Sequence, residues 1–390
     1  MSADDPKPSL ARTRYRESKS MNYALGSMFT FACLCSFSVS AQSDRMLVPA
    51  PRTLGTEADL TASVSLSDVD GDGALDVLFA EGRHWPQQNW IFLNSGRGIF
   101  NTARRLGDEL ATTYAIRAAD FDADGDVDVV VGNDKVRNPI FWNDGGGQFM
   151  IGPTIGPDNA NTRNITVADL NGDARPDIIV VNRGEPNTIH LNRDGEFGQG
   201  ILIGSGEDAT IQITTADLDG DGDLDLALAN RERQPNLVYW NDGNGTFTSS
   251  NGYGTGRDRT RAVAAADFDG DGRIDLATGN IEEENGLFLN RAEQFIAGPT
   301  FGRNTDATFA LIAVDLDADG DMDLIAGNAN ADNAAYYNDG TGVFFEERFG
   351  EPEHVTYGLA AGDVNGDRYP DIVVANSGGP NVLFYNKPIR

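Results

Sequence analysis

Seven clusters of aspartate are the residues of this 390-residue chain whose types and spacing point most directly to chemistry. In each cluster, oxygen-bearing side chains stand at positions 1, 3, 5 and 9 of a nine-residue segment. A Ca²⁺ ion needs six to eight oxygen ligands at about 2.3–2.6 Å, and alternating carboxylates with the backbone carbonyl of position 7 can supply them. The sequence therefore predicts up to seven structural Ca²⁺ sites. Their side-chain ligands, cluster by cluster, are Asp68, Asp70, Asp72 and Asp76; Asp120, Asp122, Asp124 and Asp128; Asp169, Asn171, Asp173 and Asp177; Asp217, Asp219, Asp221 and Asp225; Asp267, Asp269, Asp271 and Asp275; Asp315, Asp317, Asp319 and Asp323; Asp363, Asn365, Asp367 and Asp371.

Two of these clusters depart from the pattern. Position 6 is usually glycine, which adopts a left-handed backbone without strain, but it is Ala174 in the third cluster and Arg368 in the seventh. The same two clusters have asparagine at position 3, which keeps an oxygen ligand and loses a charge. A left-handed residue with a Cβ costs on the order of 1 kcal/mol. We therefore expect weaker metal binding in these two loops.

The alternative interpretation is that the carboxylates only form turns and bind no metal. Against it, 26 aspartates occupy four equivalent positions in seven loops, where they would repel one another strongly without cations.

The clusters belong to a repeat of 48 to 52 residues. A threonine stands seven residues before the first aspartate of each cluster. Each cluster is followed by a β-branched or leucine-rich run typical of a strand. A second predicted strand lies between two asparagines, and the first six repeats continue through a glycine-rich turn into a further strand. Each repeat therefore contains about four strands. The threonines are Thr61, Thr113, Thr162, Thr210, Thr260, Thr308 and Thr356.

The seventh repeat ends near Asn386, before its last strand, while residues 46–55 resemble the end of the missing strand. The sequence thus predicts an all-β fold, a seven-bladed β-propeller of four-stranded blades whose ring is closed by the N-terminal strand. A linear solenoid is the alternative, although it would not require a displaced N-terminal strand.

The segment Asp-Leu-Asp-Gly-Asp-Gly-Asp-Leu-Asp at 217–225 resembles the FG-GAP/VCBS repeat family, which is related in architecture to the propeller of integrin α subunits. The resemblance covers residues 47–390. It implies a propeller in which calcium is mainly structural. It does not imply an activity, because relatives include adhesion modules, carbohydrate-associated domains and some enzymes.

The charge balance excludes one class of partner. The chain has 60 acidic against 30 basic residues, a net charge of −30 and a pI near 4.2. A polyanion would meet an overall repulsive field, so we expect no nucleic-acid partner. With 40% hydrophobic residues the chain is also too apolar for a disordered acidic tail.

The N-terminus is typical of a targeting segment. Basic residues precede an apolar stretch at 23–39, and Val39-Ser40-Ala41 resembles a signal-peptidase site. We predict a signal peptide at 1–41 and a mature propeller at 42–390, secreted or periplasmic and without a membrane span. A transmembrane anchor and a lipoprotein attached at Cys33 are the alternatives. Both cysteines lie in this segment, so the mature chain would have no disulfide.

Basic and aromatic residues are concentrated in segments predicted on the face opposite the aspartate loops. This pattern favours a binding or adhesion module for an anionic glycan or an acidic protein segment. The alternative is that these cations only offset nearby carboxylates such as Glu81, Glu185 and Glu232. The candidate ligand-binding residues are Arg83, Trp85, Lys135, Arg137, Arg163, Arg231, Arg233 and Arg261.

Catalysis has less support in the sequence. An extracellular polysaccharide-active enzyme such as a uronate lyase is the alternative function, with His84, His354 and Tyr357 as candidates for proton transfer. His190 takes a repeat position held elsewhere by Phe or Tyr, so we expect it in a blade core. No Ser-His-Asp spacing or phosphate-binding glycine loop is present. We therefore assign no catalytic residue and favour a binding module.

Overall fold

The computed structural model describes residues 45–56 and 58–389, so the predicted signal peptide at 1–41 lies outside the described residues. The described residues form β-strands and no helix, hence no helix that could cross a membrane. The strands are β1 Arg45–Pro49, β2 Ser63–Ser67, β3 Asp76–Ala80, β4 Trp90–Asn94, β5 Phe100–Arg105, β6 Thr113–Ala119, β7 Asp128–Asn133, β8 Asn138–Asn143, β9 Phe149–Ile155, β10 Thr162–Ala168, β11 Asp177–Asn182, β12 Asn187–His190, β13 Asn192–Arg193, β14 Glu196–Phe197, β15 Ile201–Ile203, β16 Thr210–Ala216, β17 Asp225–Asn230, β18 Asn236–Asn241, β19 Phe247–Tyr253, β20 Thr260–Ala266, β21 Asp275–Asn280, β22 Asn285–Asn290, β23 Phe295–Phe301, β24 Thr308–Val314, β25 Asp323–Asn328, β26 Asn333–Asn338, β27 Phe344–Phe349, β28 Thr356–Gly362, β29 Asp371–Asn376 and β30 Val382–Pro388.

Seven antiparallel sheets of four strands each form the blades. They are β2–β5, β6–β9, β10–β12 with β15, β16–β19, β20–β23, β24–β27, and β28–β30 with β1. The first strand of each blade contacts the first strands of both neighbouring blades, and β28 contacts β2 to complete the circle. These first strands therefore surround the axis. The predicted seven-bladed β-propeller is confirmed.

The N-terminal strand closes the ring, as predicted. β1 pairs antiparallel with β30, from Arg45 opposite Pro388 to Pro49 opposite Phe384. The pairing continues to an isolated bridge between Leu54 and Asn381. The first and last strands of the described residues thus share one sheet, so the ring cannot open without unpairing β1.

The hydrophobic core lies between neighbouring blades. Every residue of the second strands β3, β7, β11, β17, β21, β25 and β29 is buried. In one inter-blade cluster, Leu78 and Ile91 of the first blade pack with Ile116 and Val129 of the second. Burying apolar surface contributes roughly 25 cal/mol per Å², so each blade is stabilised mainly by its neighbours.

The paired asparagines cap turns and also join the blades. Asn138 Oδ1 accepts from the backbone amide of Asn133 at 2.7 Å, and its Nδ2 donates to Thr162 Oγ1 of the next blade at 3.1 Å. The second asparagine of the pair, Asn143, donates to the Val69 carbonyl of the preceding blade at 2.8 Å. Side chains equivalent to Asn143 make the same bond in every blade: Asn94, Asn192, Asn241, Asn290, Asn338 and Asn386.

The third blade is the least regular. Its outermost strand β15 has three residues, and a two-residue ribbon of β13 and β14 precedes it. His190 ends β12 in this blade and is buried. Its Nε2 lies 3.0 Å from Thr188 Oγ1, and its Nδ1 lies 3.2 Å from the Gly198 carbonyl. His190 is therefore a packed blade residue, as predicted.

Candidate functional site

The aspartate loops connect the first and second strands of each blade. The first loop begins with Asp68 immediately after β2, and its last ligand position, Asp76, is the first residue of β3. Since every blade repeats this order, all seven loops lie on one face of the propeller.

Position 1 organises each loop. Asp68 Oδ1 accepts from the Gly71 amide at 2.9 Å, and Oδ2 accepts from the Gly73 amide at 2.8 Å, so one carboxylate holds the whole turn. Position 6 is left-handed in all seven loops, and this includes Ala174 with φ 64° and Arg368 with φ 74°. The expected strain at these two residues is therefore present.

Position 4 is also left-handed in every loop, which the sequence analysis missed. The signal was available, because five of the seven residues there are glycine. The seven residues are Gly71, Ala123, Gly172, Gly220, Gly270, Ala318 and Gly366.

Position 9 is the buried end of each loop. Asp76 Oδ2 accepts from the Val69 amide at 3.0 Å, and Oδ1 accepts from the Asn94 amide at 2.7 Å. Burial nevertheless raises the pKa of Asp76 to about 6, and these two amides only partly oppose the rise. Burial likewise raises the pKa of Asp323 to about 7. Because burial makes an unneutralised negative charge unfavourable at position 9, a cation bound beside these carboxylates would be stabilising.

Five loops bring three carboxylates close enough to hold a metal ion, since one oxygen from each lies within 4.8 Å of the others. Several of the carboxylate oxygens are buried without any hydrogen-bond partner, namely Asp70 Oδ1, Asp120 Oδ1, Asp269 Oδ1, Asp315 Oδ1 and Asp317 Oδ1. Like charges at this spacing repel, and a shared cation relieves the repulsion. The residues present thus fit a metal ion bound by oxygen. The five groups are Asp68, Asp70 and Asp76; Asp120, Asp122 and Asp128; Asp217, Asp219 and Asp225; Asp267, Asp269 and Asp271; and Asp315, Asp317 and Asp323.

Over residues 45–56 and 58–389, the third and seventh loops form no such group of three acidic residues. In the seventh loop, Asn365 Nδ2 donates to Asp371 Oδ2 at 2.9 Å and to its Oδ1 at 3.2 Å. In the third loop, Asn171 Oδ1 accepts from the Asp173 amide at 3.0 Å. The weaker metal binding expected of these two loops stays a prediction.

The fifth loop contains a cation of its own, which the sequence analysis did not anticipate. Arg291 lies 2.5 Å from Asp269 Oδ2 and 2.8 Å from Asp271 Oδ2. Arg273 also contacts Asp271, at 3.1 Å. A guanidinium at this place competes with a metal ion for the same carboxylates.

A basic and aromatic pocket lies on the axis at the other end of the first strands. Each of these strands starts near its threonine and runs toward the aspartate loop, so the threonine end belongs to the opposite face. In six blades the pairing of the first strand with the second shifts at the residue after the threonine. This β-bulge changes the direction of that residue's side chain. Five of the six line a cavity of about 80 Å³, together with Arg117: Tyr114, Arg163, Arg261, Phe309 and Tyr357.

Arginines lie against aromatic rings in this axial pocket and beside it. The Arg163 guanidinium lies 4.3 Å from the Tyr114 ring centre, and that of Arg83 lies 4.2 Å from the Tyr357 ring centre. Arg261 lies 5.5 Å from the same Tyr357 ring. These distances permit cation–π attraction, which holds the guanidinium groups while leaving their N–H donors available.

Most of the positive charge in the axial pocket has no acidic counterpart. Arg163 pairs with Asp134 at 3.0 Å, whereas Arg83, Arg117 and Arg261 make no salt bridge with any described residue. Arg83 Nε is buried without a hydrogen-bond partner. Burial lowers the pKa of both Arg117 and Arg261 to about 10, so both remain charged at neutral pH.

Cations outside the axial pocket are often neutralised, as the alternative interpretation expected. Lys135 lies 3.7 Å from Glu185, and Arg183 pairs with Glu232. Arg259 likewise pairs with Glu282 at 2.5 Å. The interpretation that the cations only offset nearby carboxylates therefore holds for part of this face but not for the axial pocket.

The structure thus divides the predicted ligand-binding residues. Arg163 and Arg261 line the axial pocket and Arg83 lies over the ring of the pocket residue Tyr357, whereas Arg137 lines a separate groove of about 660 Å³ between the first two blades. The remaining candidates, Trp85, Lys135, Arg231 and Arg233, do not line the axial pocket.

Arg117 and Tyr114 are pocket residues that the sequence analysis did not select as sites. The signal for Arg117 lies in the repeat, because the other six blades have small or apolar side chains at its position: Ser65, Thr166, Thr214, Ala264, Ile312 and Ala360.

The candidate catalytic residues are not brought together as one group. His84 Nδ1 lies 3.0 Å from Tyr114 Oη, at the edge of the axial pocket. Burial, then Arg83 and Arg163, lower the pKa of His84, so its ring is neutral at neutral pH. His354 instead lies 3.7 Å from Glu351. Tyr357 packs against Phe309, with ring centres 5.0 Å apart.

Six overlapping segments of the chain match the FG-GAP-like repeat, at residues 68–131, 120–180, 169–228, 217–278, 267–326 and 315–374. The chain belongs to the FG-GAP-like repeat family. Each match to this family begins at one aspartate loop and extends past the next, so the family signature coincides with the predicted metal loops. The comparison with curated proteins gives no match.

Solved structures share the fold of this FG-GAP-like chain at low identity. BBS1N in complex with ARL6DN is 13% identical with a TM-score of 0.61, and the match covers 89% of this chain and 98% of that chain. An Agrocybe aegerita lectin that specifically recognises non-reducing terminal N-acetylglucosamine is 21% identical with a TM-score of 0.52, over 74% of this chain and 80% of that chain. At such identities the likeness concerns the fold alone.

Proposed function

We propose that this protein is a secreted or periplasmic binding module that holds structural Ca²⁺ in its aspartate loops and binds an anionic glycan on the opposite face. The observation that carries the proposal is the axial pocket, where Arg117 and Arg261, with Arg83 over the Tyr357 ring, form no salt bridge to any described residue in a chain of net charge −30. Uncompensated guanidinium groups beside aromatic rings suit a ligand that combines negative charge with a sugar face.

The calcium part of the proposal rests on the donor set of the loops. Their ligands are carboxylate, amide and carbonyl oxygens, which suit a hard cation such as Ca²⁺. The bound ions would neutralise the crowded carboxylates and fix the turns between first and second strands. Extracellular calcium-binding modules have dissociation constants of about 10⁻⁴–10⁻³ M, so even weak loops would be filled outside the cell.

Binding to an acidic and a neutral polysaccharide tests the ligand part. Polygalacturonate and dextran of similar chain length are applied to the calcium-loaded protein at several salt concentrations. We expect binding to polygalacturonate alone, with an affinity that falls as salt rises because exposed charges are screened. Equal binding of both polymers, or of neither, contradicts the proposal.

An acidic protein segment is a second candidate ligand for the same face. The structural relative BBS1N was solved in complex with ARL6DN, so a propeller of this architecture can bind a protein. A glutamate-rich peptide in the same assay separates the two candidates. Binding of the peptide without binding of polygalacturonate favours the protein ligand.

A uronate lyase is the second candidate function, and the His84–Tyr114 pair is the observation in its favour. A neutral base at this place could take the proton at C5 of a uronate while the arginines neutralise its carboxylate. The C4–O bond then breaks, a C4=C5 double bond forms, and the leaving oxygen takes up a proton. Ultraviolet absorbance of the unsaturated product tests this, with His84→Ala as the variant and His354→Ala as its control. We expect no absorbance if the protein only binds.

A further inference from the structure

We infer that the axial pocket binds one carboxylate group of a uronic acid residue, and that this is the contact by which the protein holds its glycan. The inference rests on the proposed function and adds to it the chemical group and the residues that bind it. Three arginines from different blades line the pocket, Arg117, Arg163 and Arg261, and a fourth, Arg83, lies over the ring of the pocket residue Tyr357.

The first step of the argument is charge. Asp134 is the one acidic residue within salt-bridge distance of these four arginines among the described residues, and it pairs with Arg163. Arg117 Nη1 donates only to neutral oxygens, the Ile116 carbonyl at 2.7 Å and Ser63 Oγ at 3.2 Å. Holding several guanidinium groups together away from bulk water is unfavourable unless an anion joins them. The missing partner is therefore an anion.

The second step is size. A cavity of about 80 Å³ is well below the range of about 300–1,000 Å³ that encloses a whole small ligand. It holds a small charged group and leaves the rest of the ligand at the mouth. The rings of Tyr114 and Tyr357 line this pocket, so a sugar ring that carries the charged group meets an aromatic surface.

The third step is geometry and hydrogen bonding. Guanidinium groups bind a planar carboxylate with two parallel N–H···O bonds. Asn164, which lines the pocket, has its acceptor Oδ1 buried without a partner, and Arg83 over the Tyr357 ring has its donor Nε buried without one. A ligand that pairs with both groups needs an acceptor and a hydroxyl donor. A uronic acid has its carboxylate beside ring hydroxyls and provides both.

The fourth step is preorganisation of Arg83. Its loop joins β3 to β4 and is bound to the segment that leads into β6 of the second blade, where the Gln87 amide donates to the Ala111 carbonyl at 3.0 Å. Gly82 has φ 99°, and a Cβ there would lie 2.3 Å from the same Ala111 carbonyl. The loop is therefore fixed against the second blade, with Arg83 over Tyr357 and His84 at Tyr114.

Calorimetric titration of the calcium-loaded protein with D-galacturonate, galactose, galactose 6-sulfate and oligogalacturonate tests the inference. The variants are Arg261→Gln in the pocket and Arg83→Gln on its loop, each first checked for an unchanged melting temperature. Arg97→Gln is the matched control, because it removes the same charge from an exposed turn on the aspartate-loop face. We expect galacturonate and its oligomer to bind and galactose not to bind. Each pocket variant should weaken binding at least tenfold, and Arg97→Gln less than twofold.

Other outcomes separate this inference from the proposed function. If oligogalacturonate binds and both pocket variants behave like Arg97→Gln, the pocket assignment is overturned and the proposed function stands. If galactose 6-sulfate binds as tightly as galacturonate, the carboxylate assignment is overturned. Binding of free galacturonate without its oligomer supports the pocket and contradicts a glycan polymer as the ligand. If no acidic sugar or oligomer binds, both proposals fail.

Discussion

Glu81 shows how a single residue can break the sevenfold repeat. Glu81 directly follows the last residue of β3. The other six blades have asparagine at this position: Asn133, Asn182, Asn230, Asn280, Asn328 and Asn376. The Glu81 side chain is buried, at 2% exposure, and accepts from Thr61 Oγ1 at 2.9 Å. Burial raises the pKa of Glu81 to about 8. At neutral pH the first blade therefore contains a largely protonated carboxylic acid.

Replacing Glu81 with the residue of the other blades should make the protein more stable in alkali. Because its pKa is raised in the folded state, the folded protein binds the proton more tightly than the unfolded chain. The Glu81 contribution to stability therefore falls as pH rises from about 4.5 to about 8. We expect Glu81→Asn to raise the free energy of unfolding at pH 8.5, by at most a few kcal/mol, since one pKa unit corresponds to about 1.4 kcal/mol.

Urea unfolding at pH 5 and pH 8.5 measures the Glu81 effect. The gain from Glu81→Asn should shrink at pH 5, where wild-type Glu81 is protonated in the folded state. A gain that is equal at both pH values would mean that Glu81 does not titrate in this range.

Removing Arg291 should strengthen metal binding in the fifth loop. Its guanidinium contacts Asp269 and Asp271, so a Ca²⁺ ion must displace it or share the carboxylates with it. We expect Arg291→Gln to lower the calcium dissociation constant of one class of site several-fold in calorimetric titration. Arg193→Gln is the control, because Arg193 follows the second asparagine of its repeat just as Arg291 does. An equal effect of both variants would show that the change in net charge, and not the loss of the Arg291 contacts, strengthens calcium binding.

At the scale of the strands and loops, the second asparagine of each pair joins neighbouring blades. Asn143 donates to the carbonyls of Val69 and Val127 at 2.8 and 2.9 Å, and its Oδ1 accepts from the Gly147 amide at 3.1 Å. Asn143→Ala leaves these buried groups without partners, and each unsatisfied group costs about 1–3 kcal/mol. We expect a clear loss of stability, of at least about 2 kcal/mol, in urea unfolding.

The exposed Asn244→Ala is the control for Asn143, because Asn244 bonds only within its own turn. Equal urea midpoints for the two variants would show that solvent replaces the Asn143 bonds and that the asparagine does not join the blades.

The sequence predicted the strands well because its landmarks recur in every blade. Threonine, aspartate and asparagine mark where the first, second and third strands begin or end, and position 6 of each loop has the positive φ that its glycines predict. The axial pocket was predicted only in part. Arg163 and Arg261 reach it because a bulge follows Thr162 and Thr260, and a register shift of this kind leaves no mark on residue type.

Arg117 was missed for a different reason. One of its partners, Ser63, belongs to the first blade and stands 54 residues earlier in the chain, so the contact exists only after the first two blades pack together. The pairing of Arg291 with Asp269, 22 residues earlier, likewise depends on how two turns of one blade meet. Spacing in a repeat predicts which strand a residue occupies. Tertiary contacts, which the spacing does not give, decide which charged residues form salt bridges.

For the whole molecule, ring closure by β1 should matter more than its five residues suggest. Leu47 of β1 packs against an inter-blade cluster that contains Phe349 and Phe384. We expect Leu47→Asp to lower the melting temperature by several degrees, because a charge placed there opposes the packing of β1 on the last blade. Met46→Asp is the control, since the Met46 side chain is exposed on the same strand. Equal melting temperatures would show that β1 is not needed to keep the ring closed.

Calcium should control the stability of the whole propeller. Ions that bind only the folded state stabilise it by about 2.7 kcal/mol per site at a hundredfold excess over the dissociation constant. The five loops with three converging carboxylates would act together on a chain of net charge −30. We expect the melting temperature to rise by many degrees when Ca²⁺ replaces chelator. Mg²⁺ should have much less effect, because it demands a tighter octahedral shell and gives up water reluctantly. If neither ion changes the melting temperature, the aspartate loops form turns without metal, and the stability of the ring must come from its inter-blade clusters and asparagine bonds alone.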